Sequence, residues 1–335
     1  MKLIIPLAGY GSRLRPHTYT KPKPLLNVAG KPILKHILDS FKPMKFSEII
    51  FITGPMKEKI ENFVKENYSG KVRFIPQEIM NGNASAVYLA KEFVHEDVLI
   101  LYADTLFDID FKKFKKAVKD KNVDGLIWVK EVENYQRFGV VVTDSGGVIT
   151  QMVEKPKEPI SKLANIGMYY VKDSWAMFRA IEYLFEHNIT IKKEYYFADA
   201  LSLLVKSGKK FLAPEVKMWL DCGTFETLLE TNKILLEKNH EIKSKPKNSV
   251  IVQPVSINKG VIIENSVVGP YVSIAEGAII KDSIVSNSII DDNARLNSVN
   301  IKDSTVGHDS VMNGGFKKIN LGASSEMHEN YEDNT

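Results

Sequence analysis

Between residues 251 and 306 an aliphatic side chain returns every five or six residues. Ile251, Ile257, Ile263, Val268, Ile274 and Ile280 begin the series; Val285, Ile290, Leu296, Ile301 and Val306 continue it. Gly, Ala, Ser or Asn follows each within a few positions, and then another Val or Ile. A helix repeats its buried face near 3.6 residues and a strand at 2. A period near six therefore suits neither a helix nor a hairpin meander. It suits a parallel β-helix, in which short strands turn corners and stack coil on coil. The chain before it lacks this repeat, and the polar run at 243–248 (Lys-Ser-Lys-Pro-Lys-Asn) reads as a linker between two units.

The other organising stretch is the N-terminus. Leu3, Ile4 and Ile5 suit a buried strand, which then breaks into Gly9-Tyr10-Gly11-Ser12-Arg13. The glycines permit a tight turn whose amides converge on phosphate oxygens. Arg13 and Arg15 add planar donors, and Lys23 sits between Pro22 and Pro24, which hold its backbone extended. The stretch reads as a phosphate-handling loop or as a plain glycine turn with two surface arginines. It is not a P-loop, because no Gly-Lys-Ser/Thr closes it, and it lacks the third glycine of a dinucleotide fingerprint.

From there strands and helices alternate. Helical faces are predicted through Leu34, Ile37, Leu38 and Phe41, through Met56, Ile60, Phe63 and Val64, over 84–94, and over 225–238. Strands are predicted at 47–53, 72–76 and 97–103. This alternation predicts an α/β unit with a mostly parallel sheet covered on both faces. Ligands bind such sheets beyond the carboxyl ends of the strands, where the opening loop, Gln77 and Asp104 fall. Gln77 carries a donor and an acceptor that can read a base edge, and Gly82 would let a base lie on backbone; a solvated loop fits as well. Asp104 suits Mg²⁺ or a turn cap equally. From Asp124 the pattern is richer in strands: 125–129, 139–142, 148–153 and 164–171.

Composition narrows the classes. The chain has 335 residues, 44% hydrophobic, with a net charge of +4. No dense basic block carries interleaved aromatics, which argues against nucleic acid. No run of 18 apolar residues or signal peptide is read, so no membrane role is expected. The single cysteine, Cys222, makes no intrachain disulfide, and a cytoplasmic location is expected. The seven histidines show no metal-ligand spacing.

Three words at the N-terminus, Gly9-Tyr10-Gly11-Ser12-Arg13-Leu14-Arg15-Pro16-His17-Thr18, Pro22-Lys23-Pro24-Leu25-Leu26 and Gly30-Lys31-Pro32, closely resemble the opening of the sugar-1-phosphate nucleotidylyltransferases. Ser12 replaces the usual Thr and keeps the hydroxyl. Arg137-Phe138-Gly139-Val140-Val141, Glu154-Lys155-Pro156, Asn165-Ile166-Gly167-Met168-Tyr169 and Trp219-Leu220-Asp221-Cys222-Gly223-Thr224 resemble further words of that family in the same order. Ala103-Asp104-Thr105 loses the family's glycine but keeps its carboxylate. The repeat resembles the left-handed hexapeptide β-helix that some members carry.

The resemblance implies a Rossmann-like catalytic unit at 1–242, a linker at 243–249, a left-handed β-helix at 250–323 and a polar tail at 324–335. It implies transfer of a nucleoside monophosphate from an NTP to a sugar-1-phosphate. Leu7, Ala8, Gly9, Gly11, Ser12, Arg13, Lys23, Gln77, Gly82 and Asp104 would bind the nucleotide. Gly139, Glu154, Lys155, Asn165 and Trp219 would bind the sugar phosphate. Asp104 and Asp221 would hold Mg²⁺, and Arg13, Lys23, Asp104 and Asp221 would be catalytic. UTP or dTTP with glucose-1-phosphate is favoured, because Gln77 suits a pyrimidine edge. Guanylyltransfer to mannose-1-phosphate is the runner-up. A non-catalytic regulatory relative would lose these residues, and Arg13, Lys23, Asp104, Lys155 and Asp221 are all present. Some β-helices of this kind are acyltransferases with a catalytic histidine and an acyl-CoA site, but His308 sits at an ordinary repeat position. Assembly or regulation fits better, and a homo-oligomer is expected. The catalytic unit is expected to cover one end of the β-helix through the linker, and residues 314–321 the other.

Overall fold

The computed structural model describes residues 1–315, the side chain of Arg137 excepted. The tail at 324–335, the end of the repeat at 323 and most of the 314–321 segment lie outside the described residues.

A nine-stranded sheet organises the N-terminal unit. Lys2–Pro6, Ile49–Thr53, Val72–Pro76 and Val98–Leu101 run parallel. They stand in the spatial order third, second, first, fourth, as in doubly wound nucleotide-binding folds. Such strands are apolar along their length because both faces are covered. Leu3, Ile5, Phe51 and Leu101 join one core, with the helices Ile33–Ser40, Lys57–Asn67 and Phe225–Lys238. Ile4, Ile50, Ile52 and Ile100 join the other, with Asn83–Tyr88, Ser174–Glu186 and Phe197–Lys206. The sheet then turns mixed. Leu163–Val171 runs antiparallel to Val98–Leu101 and pairs with Gly125–Glu131 and Gly139–Thr143.

The helix predicted over 84–94 is shorter. It ends at Tyr88, and bonds from Ala90 N–H to Val87 and Phe93 N–H to Ala90 tighten the next residues into 3₁₀ turns. The helices Phe111–Lys119 and Ser174–Glu186 and the strand Thr105–Asp108 were not predicted. Both helices carry a legible stripe, such as Met177, Phe178, Ile181 and Leu184 in the second. The strand exists only through its partner, Met218–Asp221.

The C-terminal unit is the β-helix that the period of six requires. Three parallel four-stranded sheets form the sides of a prism, consistent with the left-handed form. Val255 pairs with Val272 one coil on, a step of 17 residues, and Ile279 with Arg295, a step of 16. One coil is thus three repeats of five or six. Val255, Ile257, Ile263, Val268, Ile274, Ile280, Val285, Ile290 and Leu296 stack inside. Corners fall at left-handed backbone positions: Asn248, Asn265, Asp282 and Ser298 along one edge, and Gly260, Gly277, Asn293 and Asp309 along another. Asn, Asp and Gly tolerate that conformation with least strain, which explains the polar interruptions in the repeat.

The prism does not meet the N-terminal unit end-on, contrary to expectation. It lies along one side. In the sheet of Val255–Ile257, Val272–Ile274, Ile289–Ile290 and Thr305–Val306, the outward Ser256, Ser273 and Ile289 are buried. Ile289 joins the core of the N-terminal unit, and Asn232 donates to the Tyr271 carbonyl at 3.0 Å. Ser256 and Ser273 are small enough to let this face approach closely, and Ile289 fills the contact. The segment expected as a linker covers the end instead: Lys243 N–H and Ile257 N–H bond across to Ile257 and Glu241 carbonyls, each at 2.8 Å. These bonds satisfy the backbone edge that the first coil would leave open.

The contrast between inward and outward isoleucines is testable. Ile280→Ala, in the fully buried stack, should cost about 2–5 kcal/mol. Ile262→Ala, 45% exposed on the neighbouring coil, should stay within about 0.5 kcal/mol. Chemical denaturation of the full chain checks both.

Candidate active site

Strand Lys2–Pro6 delivers the chain to the carboxyl edge of the sheet, beside Val98–Leu101. Leu7 N–H still donates to the Ile52 carbonyl at 2.9 Å, and then the ladder ends. Gly11 turns with φ +62°, where a Cβ would stand 3.0 Å from Thr18 Cγ2 and 3.2 Å from Lys23 Cβ. The Thr18 hydroxyl and Leu14 N–H both donate to the Gly11 carbonyl, at 2.9 and 2.8 Å. The turn is thus closed by its own bonds, and the 3₁₀ turn Ser12–Leu14 follows with Arg13 exposed. Arg15 lies 5.0 Å over the Tyr19 ring instead and does not line the cleft.

That cleft, of about 410 Å³, is lined by Leu7, Ala8, Gly9, Gly11, Ser12, Arg13, Lys23, Gln77, Gly82 and Asp104. Every residue assigned to the nucleotide from the sequence is brought to it. Lys23 Nζ donates to Asp104 Oδ2 at 2.7 Å. Burial would raise the Asp104 carboxyl, but the Lys23 ammonium and the Arg13 guanidinium outweigh it and hold the carboxyl below its ordinary value. Asp221 reaches the same place by a separate route. Met218–Asp221 pairs antiparallel with Thr105–Asp108, setting Asp221 opposite Thr105, and Cys222 N–H bonds to the Asp104 carbonyl at 3.1 Å. Burial raises the Asp221 carboxyl, and Asp104 beside it adds to the rise.

Two facing carboxylates of like charge, in a cleft with a guanidinium and an ammonium, are a hard-oxygen donor set that a divalent cation relieves. The pair therefore fits Mg²⁺. Among the described residues no group of three or more His, Cys, Asp or Glu could hold a metal. The remaining ligands would be phosphate oxygens and water.

On the base side, Gln77 is buried and its amide nitrogen donates to the Ile79 and Gly82 carbonyls at 3.1 and 3.3 Å. Its oxygen is left to accept. Gly82 has φ +120°, and a Cβ there would lie 2.2 Å from the Tyr195 carbonyl oxygen, so only glycine fits. On the sugar side, a Cβ on Gly139 would meet Asn165 Nδ2 at 2.3 Å and Glu154 Oε2 at 2.6 Å. Asn165 donates to the Gly139 carbonyl at 2.8 Å and accepts from the Tyr169 hydroxyl. Lys155 Nζ lies 3.3 Å from the Tyr196 hydroxyl and 3.6 Å from Glu154. Burial raises the Glu154 carboxyl despite Lys155, and Asp199 adds to the rise. Trp219 packs edge-on against Phe138, and its buried indole N–H has no hydrogen-bond partner.

Sequence reasoning gave no role to Tyr102, Tyr196 or Gly223. Tyr102 lines the cleft beside Asp104 and packs edge-on against Tyr169. It was legible as the residue two before Asp104 on a strand ending at the site. A Cβ on Gly223 would stand 2.8 Å from Asp221 Oδ1 and 3.4 Å from Arg13 Nη1; its place in the word at 219–224 marked the position, though not this reason for it. His308 bonds to Thr20 at 2.7 Å and to Asp309 at 2.8 Å, which engages it at the contact between the two units. No helix among the described residues is long and apolar enough to cross a membrane.

The sequence profile described as nucleotidyl transferase matches residues 2–238. The chain is 37% identical over 267 residues to the bifunctional protein GlmU of Methanocaldococcus jannaschii, covering 78% of this chain and 61% of that relative. It thus spans about three fifths of that protein's length. It is 31% identical over 242 residues to the UTP–glucose-1-phosphate uridylyltransferase AglF of Haloferax volcanii, covering 71% of this chain and 98% of AglF. The crystal structure of a UDP-glucose pyrophosphorylase complexed with UDP-glucose superposes with a TM-score of 0.62 at 24% identity, over 71% of this chain and 99% of that one. At that identity the likeness speaks for the fold alone.

Cys222 borders the site but is fully buried, and burial pushes its thiol up to about 12. The folded chain should therefore resist iodoacetamide at pH 8 and react only once unfolded. Rapid alkylation of the native protein, read by mass spectrometry, would contradict this placement.

Proposed function

The chain belongs to the nucleotidyl transferase family, and on that premise we propose that it makes an NDP-sugar and pyrophosphate from an NTP and a sugar-1-phosphate. The observation that supports this best is the convergence of three distant parts of the chain: Arg13 and Lys23 from the N-terminal stretch and Asp104 from the sheet line one cleft, and Asp221 stands close enough to feel the charge of all three. Residues 1–242 would carry the reaction, 243–249 connect, and 250–323 form the β-helix, with 324–335 a polar tail. The β-helix would serve assembly of a homo-oligomer through its uncovered faces, closed symmetric assemblies being the commonest kind.

Both substrates are anions, so the protein's task is alignment and charge neutralisation. The sugar-phosphate oxygen attacks the α-phosphorus in line. The new O–P bond forms as the bond to the β-phosphate breaks, and pyrophosphate leaves. Arg13 neutralises the β- and γ-phosphates and the departing pyrophosphate. Lys23 meets the charge that gathers at the α-phosphate, and Lys155 holds the sugar phosphate. Glu154 and Asn165 accept from and donate to sugar hydroxyls, and Trp219 walls the sugar pocket. Asp104 and Asp221 would hold Mg²⁺, which supplies charge neutralisation between reacting phosphates. No general base is needed, since the attacking oxygen is already ionised near pH 7.

For the base, the Gln77 oxygen favours an N–H edge. Uracil and thymine present one beside their carbonyls, and cytosine presents an acceptor there. The activity for which AglF is named, UTP with glucose-1-phosphate, supports the same pair. Guanine also presents an N–H, which keeps mannose-1-phosphate guanylyltransfer as the second reading.

Pyrophosphate release over a grid of five NTPs and several sugar-1-phosphates tests the assignment. Turnover should be highest with UTP or dTTP and glucose-1-phosphate and should require Mg²⁺; a grid without turnover would overturn the reading. Asp104→Asn and Asp221→Asn should each abolish turnover with the fold kept, as judged by circular dichroism. Lys23→Ala should lower kcat by ~10²-fold or more with little change in KM. A loss confined to KM would make Lys23 a ground-state contact only.

A further inference from the structure

Lys23 does not stand on a free loop. Two residues before it, Lys21 Nζ donates to Asp291 at 2.8 and 2.9 Å and to Asp292 at 2.8 Å. Four residues after it, Asn27 Nδ2 donates to the same Asp291 oxygen at 2.5 Å. Asp291 belongs to the β-helix, just after the strand Ile289–Ile290 in the docked sheet, and is 4% exposed. The intervening turn is closed by its own backbone bonds, Leu25 N–H to Pro22 and Leu26 N–H to Lys23. Leu25 and Leu26 are buried in the core that Ile289 of the β-helix also enters. His17 and Thr20, upstream, reach Thr305 and His308 at 3.2 and 2.7 Å. The segment from 17 to 27 is therefore bonded to the β-helix at both ends, and Lys23 projects from its middle onto Asp104.

We propose that the β-helix is a positioning module for the Lys23 segment, with Asp291 as the positioning residue that fixes the reach of Lys23 to Asp104. A buried carboxylate shared by an ammonium and an amide is costly to leave half-partnered, so the clamp closes in one arrangement only. Lys23 must meet charge at one phosphorus, and a misplacement of about 1 Å costs on the order of 10²-fold in rate. A module with no atom in the cleft thus sets the rate of the chemical step. The kinetic part of this rests on the catalytic reading of Lys23; the structural part does not.

The test uses the full chain with Asp291→Asn and, from the other side of the ion pair, Lys21→Met. Tyr271→Phe is the control: it removes another β-helix contact, the 3.2 Å bond to Glu237, away from the segment. Amide hydrogen exchange at Leu25 and Leu26 is read by NMR, and kcat and KM by pyrophosphate release with UTP and glucose-1-phosphate below the melting transition. In Asp291→Asn and Lys21→Met, exchange should rise and kcat should fall by about tenfold each with KM within about twofold. Tyr271→Phe should change neither. Unchanged exchange in both variants overturns the proposal, as does an equal effect in Tyr271→Phe. Raised exchange with unchanged kcat, where Lys23→Ala does lower kcat, overturns the positioning role alone. Raised exchange with kcat indifferent even to Lys23→Ala overturns the catalytic reading of Lys23 and leaves the clamp standing.

Discussion

The ion pair between Lys23 and Asp104 is where the molecule's separate constraints meet. Asp104 lies just past Val98–Leu101, the fourth parallel strand, so its place is fixed by the sheet and by the apolar layers on its two faces. Lys23 comes from a segment that the sheet does not hold. Asp221 arrives on a third element, paired with the strand that follows Asp104. Bringing two carboxylates into one partly buried cleft is unfavourable by itself, and the raised Asp221 carboxyl records that cost. Arg13 and Lys23 offset it. A cleft with cations and carboxylates in this proportion suits the proposed pairing of a polyphosphate with a divalent cation.

The legibility of each residue in the sequence depends on how far away its partners lie. The opening glycine turn was readable because a turn after a strand is a local event, and Gly11 with its bond to Thr18 behaves as local chemistry dictates. Asp104 was readable because strand polarity puts it at the ligand edge. The β-helix was readable because its period excludes the alternatives. Arg15 misled, since its type suits phosphate but its neighbour Tyr19 takes it away from the cleft. The strand Thr105–Asp108 has no pattern of its own, because pairing across more than a hundred residues creates it. Gly223 was visible only as a letter of a matching word for the same reason: its need for no side chain comes from Asp221 and Arg13 together.

The mode of docking was the larger surprise. A repeat sequence reports the inside of a prism through its aliphatic period and the corners through Asn, Asp and Gly, yet says little about which side is covered. Ser256, Ser273 and Ile289 look like ordinary outward positions until the N-terminal unit is set against them. Asp291 likewise reads as a corner residue, and its partner Lys21 lies 270 positions away. Long-range polar contacts of this kind carry no local signature, and they join the stacked coils to the loop on which the chemistry is proposed to depend.

The central claim is that this cleft aligns an attacking sugar phosphate with the α-phosphorus of a nucleotide. The most direct measurement tracks the phosphorus itself. The purified chain would be incubated with Mg²⁺, glucose-1-phosphate and UTP labelled either at the α- or at the γ-phosphate, and the products separated. The account predicts that the α label enters the sugar nucleotide while the γ label leaves as pyrophosphate. A γ label in the sugar product, or an α label released as free UMP with the sugar phosphate unchanged, would contradict it.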